Sequence, residues 1–149
     1  MSDVARLFAL YSEGGIYLDT DVEVVKSLDS LLNIDVFMGF EGTQLIATSC
    51  IGATKKHPFI GLFLNSYSKR VFIQNNKLDT LPNVEVLTQL LIEQYGLKLN
   101  GDCQKLDTIK IYSKEYFSPY DYINGKLNKN AFFQNLISIR HPALCRIYI

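Results

Sequence analysis

An α/β layered domain is the fold class that the sequence predicts, and three observations predict it. Segments with helical apolar periodicity alternate with short apolar runs of strand length. A glycine pair, Gly14-Gly15, separates the first helix from the first strand. The chain has 149 residues, 48% of them hydrophobic, which suits one globular domain spanning 1–149.

The elements follow in order. Ser2 reads as an N-cap, with Asp3 near the positive end of the helix dipole. Val4, Leu7, Phe8 and Tyr11 recur at the spacing of a buried helical face. Gly14-Gly15 stops that helix, one glycine taking the left-handed position. Ile16-Tyr17-Leu18 is a short buried strand ending at Asp19-Thr20-Asp21, and Val22, Val24 and Val25 resume extended chain. Val36 to Phe40 is a second strand and Leu45 to Ile51 a third. Pro58 opens a helix with Ile60, Phe63, Leu64, Tyr67 and Val71 on one face, and His57 is read as a residue of that helix start. Gln74 to Pro82 is a polar loop. Val84, Leu87, Leu90, Leu91 and Tyr95 mark a further helix closed by Gly96. Ile109 to Tyr112 is a strand, Tyr116 to Tyr122 an aromatic, Pro-broken segment, and 130–149 carry no clear period. No internal repeat, low-complexity tract or linker divides the chain.

Composition narrows the function. Fifteen basic and fifteen acidic residues cancel, so no net field draws the chain to nucleic acid or anionic lipid. Cys50, Cys103 and Cys145 form no Cys-x-x-Cys pair and are read as reduced thiols. No apolar run approaches the roughly 18 residues of a membrane span, and no signal peptide is seen. The expectation is a cytoplasmic protein without an integral membrane segment.

Two carboxylates one residue apart, after a strand this apolar, need a reason. Residues i and i+2 share one side of a strand, so Asp19 and Asp21 can converge on one hard cation such as Mg²⁺ or Mn²⁺. Open positions on that cation suit diphosphate oxygens, whose leaving charge it offsets. Carboxyl ends of strands in α/β sheets are where ligands sit. The plainer reading is a turn, which Asp-x-Asp also serves. Likewise Asp3 and Arg6, three apart on one helical face, form either a polar binding edge or a dipole charge and a surface ion pair. Tyr17 is assigned to core packing, and the two glycines to backbone geometry first.

The stretch "SDVARLFALYSEGGIYLDTDVEVV" resembles the central block of the family 32 glycosyltransferases, the DXD-motif sugar transferases. That group includes bacterial capsule and polysaccharide enzymes and yeast mannosyltransferases, and the clostridial glucosylating toxins share its core. Ser2, Asp3, Arg6, Gly14, Gly15, Tyr17, Asp19 and Asp21 fall at matching positions. "IGATKKHPF", "LPNVEVLTQLL" and "IKIYSKEYFSPYDY" resemble later family segments, in family order.

The resemblance implies a GT-A-like, Rossmann-like domain that moves a sugar from a nucleotide-sugar, a UDP-sugar before a GDP-sugar, to a saccharide acceptor with retention of configuration. It implies Asp21 as the direct ligand of Mn²⁺ or Mg²⁺, and Asp19 as a second catalytic carboxylate that holds the donor and assists the metal. Asp3 and Arg6 would bind the transferred sugar, with Gly15 beside the donor. The family closes on a His-His and Ser-Trp segment. Here the nearest match is Arg140-His141 with Cys145-Arg146, so His141 is the one candidate metal ligand there. Relatives also carry a long stretch before the Ser-Asp block. The chain is therefore expected to lack an N-terminal portion and to expose a sheet edge open to self-association. Two alternatives stand beside this reading. One is a remnant acting in binding or assembly; the other is an Asp-nucleophile phosphatase, which Val22-Glu23 after the second aspartate does not fit.

Overall fold

A computed structural model describes residues 2–20, 22–24, 26–68, 73–74, 77–78, 82–117, 120–121, 126–127 and 137–139. Helix α1 runs Ser2–Glu13, strand β1 Gly15–Leu18 and β2 Val22–Val24. After a 3-10 turn at Asp29–Leu31 come β3 Val36–Glu41, β4 Leu45–Ile46, β5 Cys50–Ala53 and α2 Pro58–Ser68. A short pair, β6 Ile73–Gln74 and β7 Lys77–Leu78, precedes α3 Asn83–Tyr95. The chain continues through β8 Gln104–Leu106, β9 Ile109–Tyr112, α4 Lys114–Phe117, β10 Tyr120–Asp121, β11 Lys126–Leu127 and β12 Ile137–Ile139.

The central sheet has the order β1-β5-β3-β9-β8, with β4 paired to β3. β1 pairs β5 antiparallel, β5 pairs β3 antiparallel, and β3 pairs β9 parallel. Strands β1, β3 and β9 therefore run in one direction, and their carboxyl ends share one edge. The predicted mixed α/β layering is present. Residues alternate between two cores as a pleated strand requires. Val36, Met38 and Phe40 of β3, with Ile109 and Ile111 of β9, face a core shared with α1, α2 and α3. Phe37 and Tyr112 face a smaller one with Leu31, Cys50 and Phe117. On that second side the rings of Phe37 and Phe117 stack at 6.0 Å. Gly52 makes the space: a Cβ there would lie 2.0 Å from Phe37 Cε1.

Several expectations change. Val4 is 38% and Phe8 62% exposed, while Leu7 is buried as expected and Leu10 joins it. The reason is rotation of α1: Arg6 is turned inward to an ion-pair network, which swings Phe8 to solvent. The helix begins at Ser2 itself, and the Ser2 side chain lies outside the described ones. The expected third strand is two, β4 and β5, broken at Ala47-Thr48-Ser49. The polar loop before α3 contains β6 and β7, and β8 and α4 were not foreseen. β8 reads Gln-Lys-Leu, too short and polar to announce itself. Val71, Val25 and most of the tail lie outside the described residues.

The readings at Gly14, Gly96, Cys50 and Cys103 hold. Gly14 closes α1 at φ +72°, its N–H on the Leu10 carbonyl at 2.9 Å. A Cβ there would sit 2.7 Å from the Lys55 backbone nitrogen, so the position needs glycine twice over. Gly96 closes α3 in the left-handed region. Cys50 and Cys103 are free thiols. Burial pushes the Cys50 thiol up to about 12, so it stays protonated. Among the described residues no helix is long and apolar enough to cross a membrane.

Candidate functional site

The site forms where α1 passes the carboxyl end of β1. The helix ends at Gly14 and the chain reverses directly into β1, which sets α1 beside its own strand. Tyr17 and Asp19 are two residues apart and point to the same side. The Tyr17 hydroxyl donates to Asp19 Oδ1 at 2.6 Å. From α1, the Arg6 guanidinium reaches the same oxygen at 3.4 Å and Asp3 Oδ1 at 3.2 Å. Arg6 also lies over the Tyr17 ring, 4.7 Å from its centroid, a cation–π contact. Burial, then the bond to Asp19, pushes the Tyr17 phenol above its usual range, so it is a neutral donor.

The break between β4 and β5 supplies the backbone side of the site. The Thr48 carbonyl accepts from Arg6 at 2.9 Å, and the Ser49 carbonyl accepts from the Asp19 N–H at 2.9 Å. From the opposite wall, Asn83 Nδ2 donates to Asp3 Oδ1 at 2.6 Å. Arg6 is nine-tenths buried, with its side chain 10% exposed. Among the described residues, its Nε and the Ser49 hydroxyl are buried without a hydrogen-bond partner, which is unusual for buried donors. The carboxylates of Asp3 and Asp19 remain 35% and 30% exposed.

Of the sequence-predicted residues, the fold brings Asp3, Arg6 and Asp19 together. Gly15 stands at the start of β1, four residues and roughly 13 Å of strand from Asp19. Asp21 and His141 lie outside the described residues. β2 pairs with β12, Val22 opposite Ile139, so the chain's last described strand runs beside the Asp19 turn. Tyr17 packs its ring against the core, as the sequence reading has it, and its hydroxyl in addition bonds Asp19. Thr48, Ser49 and Asn83 were missed. A Thr-Ser pair interrupting an apolar run was a signal for a bend, but carbonyl direction leaves no mark in sequence.

Carboxylate oxygen suits a hard divalent cation. Asp19 Oδ1 is committed to Tyr17 and Arg6, which leaves Oδ2 as its second acceptor. Among the described residues no group of three or more His, Cys, Asp or Glu is placed to hold an ion. A full ligand shell would draw on oxygens beyond them.

Residues 1–38 match the family model described as "glycosyltransferase sugar-binding region containing DXD motif". That span holds α1, β1 and the side chains of Asp3, Arg6, Tyr17 and Asp19. Inositol phosphoceramide mannosyltransferase 3 of Schizosaccharomyces pombe is 41% identical over 59 residues, covering 40% of this chain and 17% of that protein. Its mannosyltransferase 1 is 39% identical over 69 residues, 45% of this chain and 21% of the relative. Lactosylceramide 4-alpha-galactosyltransferase of Mus musculus is 34% identical over 67 residues, 45% of this chain and 18% of the relative. The chain spans about a fifth of the length of these curated relatives. No solved structure matches it.

Proposed function

We propose that this chain carries the donor-sugar site of a glycosyltransferase with a GT-A-like domain, transferring a hexose from a nucleotide-sugar to a saccharide acceptor with retention of configuration. One observation carries the reading. Asp3, Arg6, Tyr17 and Asp19 converge at the carboxyl end of β1, inside the span matched by a sugar-binding family model. In transfer, the bond from the sugar's anomeric carbon to the diphosphate oxygen breaks and a bond to an acceptor hydroxyl oxygen forms. The acceptor's proton leaves toward the departing diphosphate.

The residues divide that work. Asp3 accepts hydrogen bonds from sugar hydroxyls. Arg6 donates from its unpaired Nε and brings positive charge toward the diphosphate. Tyr17 and the Ser49 carbonyl hold Asp19 in place. Asp19 Oδ2, with Asp21, would hold Mn²⁺ or Mg²⁺, which when bound supplies Lewis-acid stabilisation of the leaving group. The relatives act, by name, on inositol phosphoceramide and lactosylceramide. A sugar-headed lipid is therefore tried as acceptor beside free oligosaccharide.

A non-catalytic sugar-binding role is the second reading, favoured because Arg6 already pairs with both described carboxylates. Calorimetry and donor hydrolysis separate the two. With Mn²⁺ and UDP-galactose or GDP-mannose, the transferase reading expects metal-dependent binding and released nucleoside diphosphate, both lost in Asp19→Asn. Binding without release supports the second reading. Unchanged affinity in Asp19→Asn removes both.

A further inference from the structure

We propose that Asn83 is a positioning residue for the donor sugar: its amide fixes one oxygen of Asp3 so that the other faces a sugar hydroxyl. The proposal rests on the sugar-binding reading of the site.

A hydrogen-bond donor and a guanidinium charge meet on a single oxygen of Asp3. Asn83 Nδ2 lies 2.6 Å from Oδ1 and the Arg6 guanidinium 3.2 Å from the same atom. An ionised carboxylate has about four acceptor directions, two on each oxygen. Convergence on Oδ1 stops the group rotating, and among the described residues Oδ2 accepts no hydrogen bond. Asp3 is thus oriented by its neighbours, with one acceptor oxygen left over in a side chain that is 35% exposed.

Asn83 is held on a rigid element. It opens α3, and α3 is clamped to the sheet by Thr88. The Thr88 hydroxyl accepts from the Ile46 N–H at 2.9 Å and donates to the Val84 carbonyl at 2.6 Å. Leu87 and Leu91 are fully buried on the same helix. The amide therefore reaches Asp3 from a fixed point 80 residues away in sequence.

Local structure does not account for this residue. Pro82 occupies the cap position, with no side-chain cap bond, and asparagine is a poorer helix former than alanine. Charge explains the choice. Aspartate here would set a second carboxylate against Asp3, and lysine would neutralise it. An amide donates without charge, so Asp3, Asp19 and Arg6 together keep one net negative charge to receive sugar hydroxyls.

The test titrates UDP-galactose, GDP-mannose, UDP and GDP into the full chain with Mn²⁺ by calorimetry, with thermal melting as the fold check. Asn83→Ala should weaken nucleotide-sugar binding about tenfold and leave the nucleoside diphosphates within about twofold. Asn83→Gln should fall between. Asn83→Asp should lose more than Asn83→Ala, because a second carboxylate then opposes Asp3. Equal loss of sugar and diphosphate binding would reduce Asn83 to a structural role and overturn the proposal, as would no loss. If wild type binds each nucleotide-sugar no more tightly than its diphosphate, the sugar reading itself falls and takes the proposal with it.

Discussion

Arg6 and His57 are both nearly buried basic side chains, 10% exposed as a side chain and 7% as a residue respectively. They stand at opposite edges of the same sheet. His57 follows β5 and meets the turn before β9, at the amino edge of β1, β3 and β9. Its Nδ1 accepts from the Phe59 N–H at 3.2 Å, which caps α2, and its Nε2 lies 3.1 Å from the Thr108 hydroxyl. Because Nδ1 is an acceptor, the neutral ring carries its proton on Nε2 and donates it to Thr108. Both ring nitrogens are used. Arg6, at the carboxyl edge, is surrounded by Asp3, Asp19, the Thr48 carbonyl and the Tyr17 ring, yet among the described residues its Nε has no partner. His57 is a satisfied buried base that holds elements together, whereas on the proposed function Arg6 also meets the donor.

Substitutions at the two edges should therefore break different things. The largest effect is expected for Arg6→Met, which keeps a stem against Tyr17 but removes the charge. Donor hydrolysis should fall about 100-fold, with Asp3 and Asp19 left uncompensated. A variant with unimpaired turnover would make Arg6 a structural residue like His57.

His57→Ala should do the reverse. Losing the cap on α2 and the tie to Thr108 should cost about 1–2 kcal/mol in urea denaturation, with nucleotide-sugar affinity unchanged. The same residue gives the fold a pH dependence. Burial lowers the His57 pKa below the ordinary 6.5, against the opposing pull of Asp35 and Asp107. Below 6.5 the unfolded chain binds the proton more readily than the folded one. The stability contribution is complete above that pH and is lost as pH falls toward the lower folded-state value. Denaturation from pH 8 to 5 should show this decline in wild type and a flatter curve in His57→Ala.

Smaller effects sharpen the picture inside the site. Tyr17→Phe retains the ring under Arg6 and loses only the hydroxyl on Asp19, so donor turnover should drop about fivefold with little change in melting. The exposed pair Lys55–Glu13, at 3.5 Å, marks the floor. Lys55→Ala should change neither stability nor turnover measurably.

How much of this was legible beforehand follows from range. The run from Asp3 to Asp19 is local: helical spacing paired Asp3 with Arg6, and strand alternation with a glycine stop set Asp19 at the end of β1, while their meeting in one site was implied only by the family resemblance. The closure of α3 by Gly96 is equally local. Asn83 was not legible, because its partner is 80 residues away and its own neighbourhood reads only as a helix start. Thr48 and Ser49 act through carbonyls, which every residue possesses. Phe8 was assigned inward by its hydrophobicity, and the pull of Arg6 toward two carboxylates overrode it.

The bond between Asn83 and Asp3 also bears on cooperativity. It fastens the first turn of the chain to a helix near its middle, 80 residues on in sequence. Whatever occupies that junction must raise the opening free energy of both ends at once, by mass action on the intact state alone. Hydrogen exchange in α1 and α3 should slow together when the junction is filled, by the same factor, though no covalent neighbour links them.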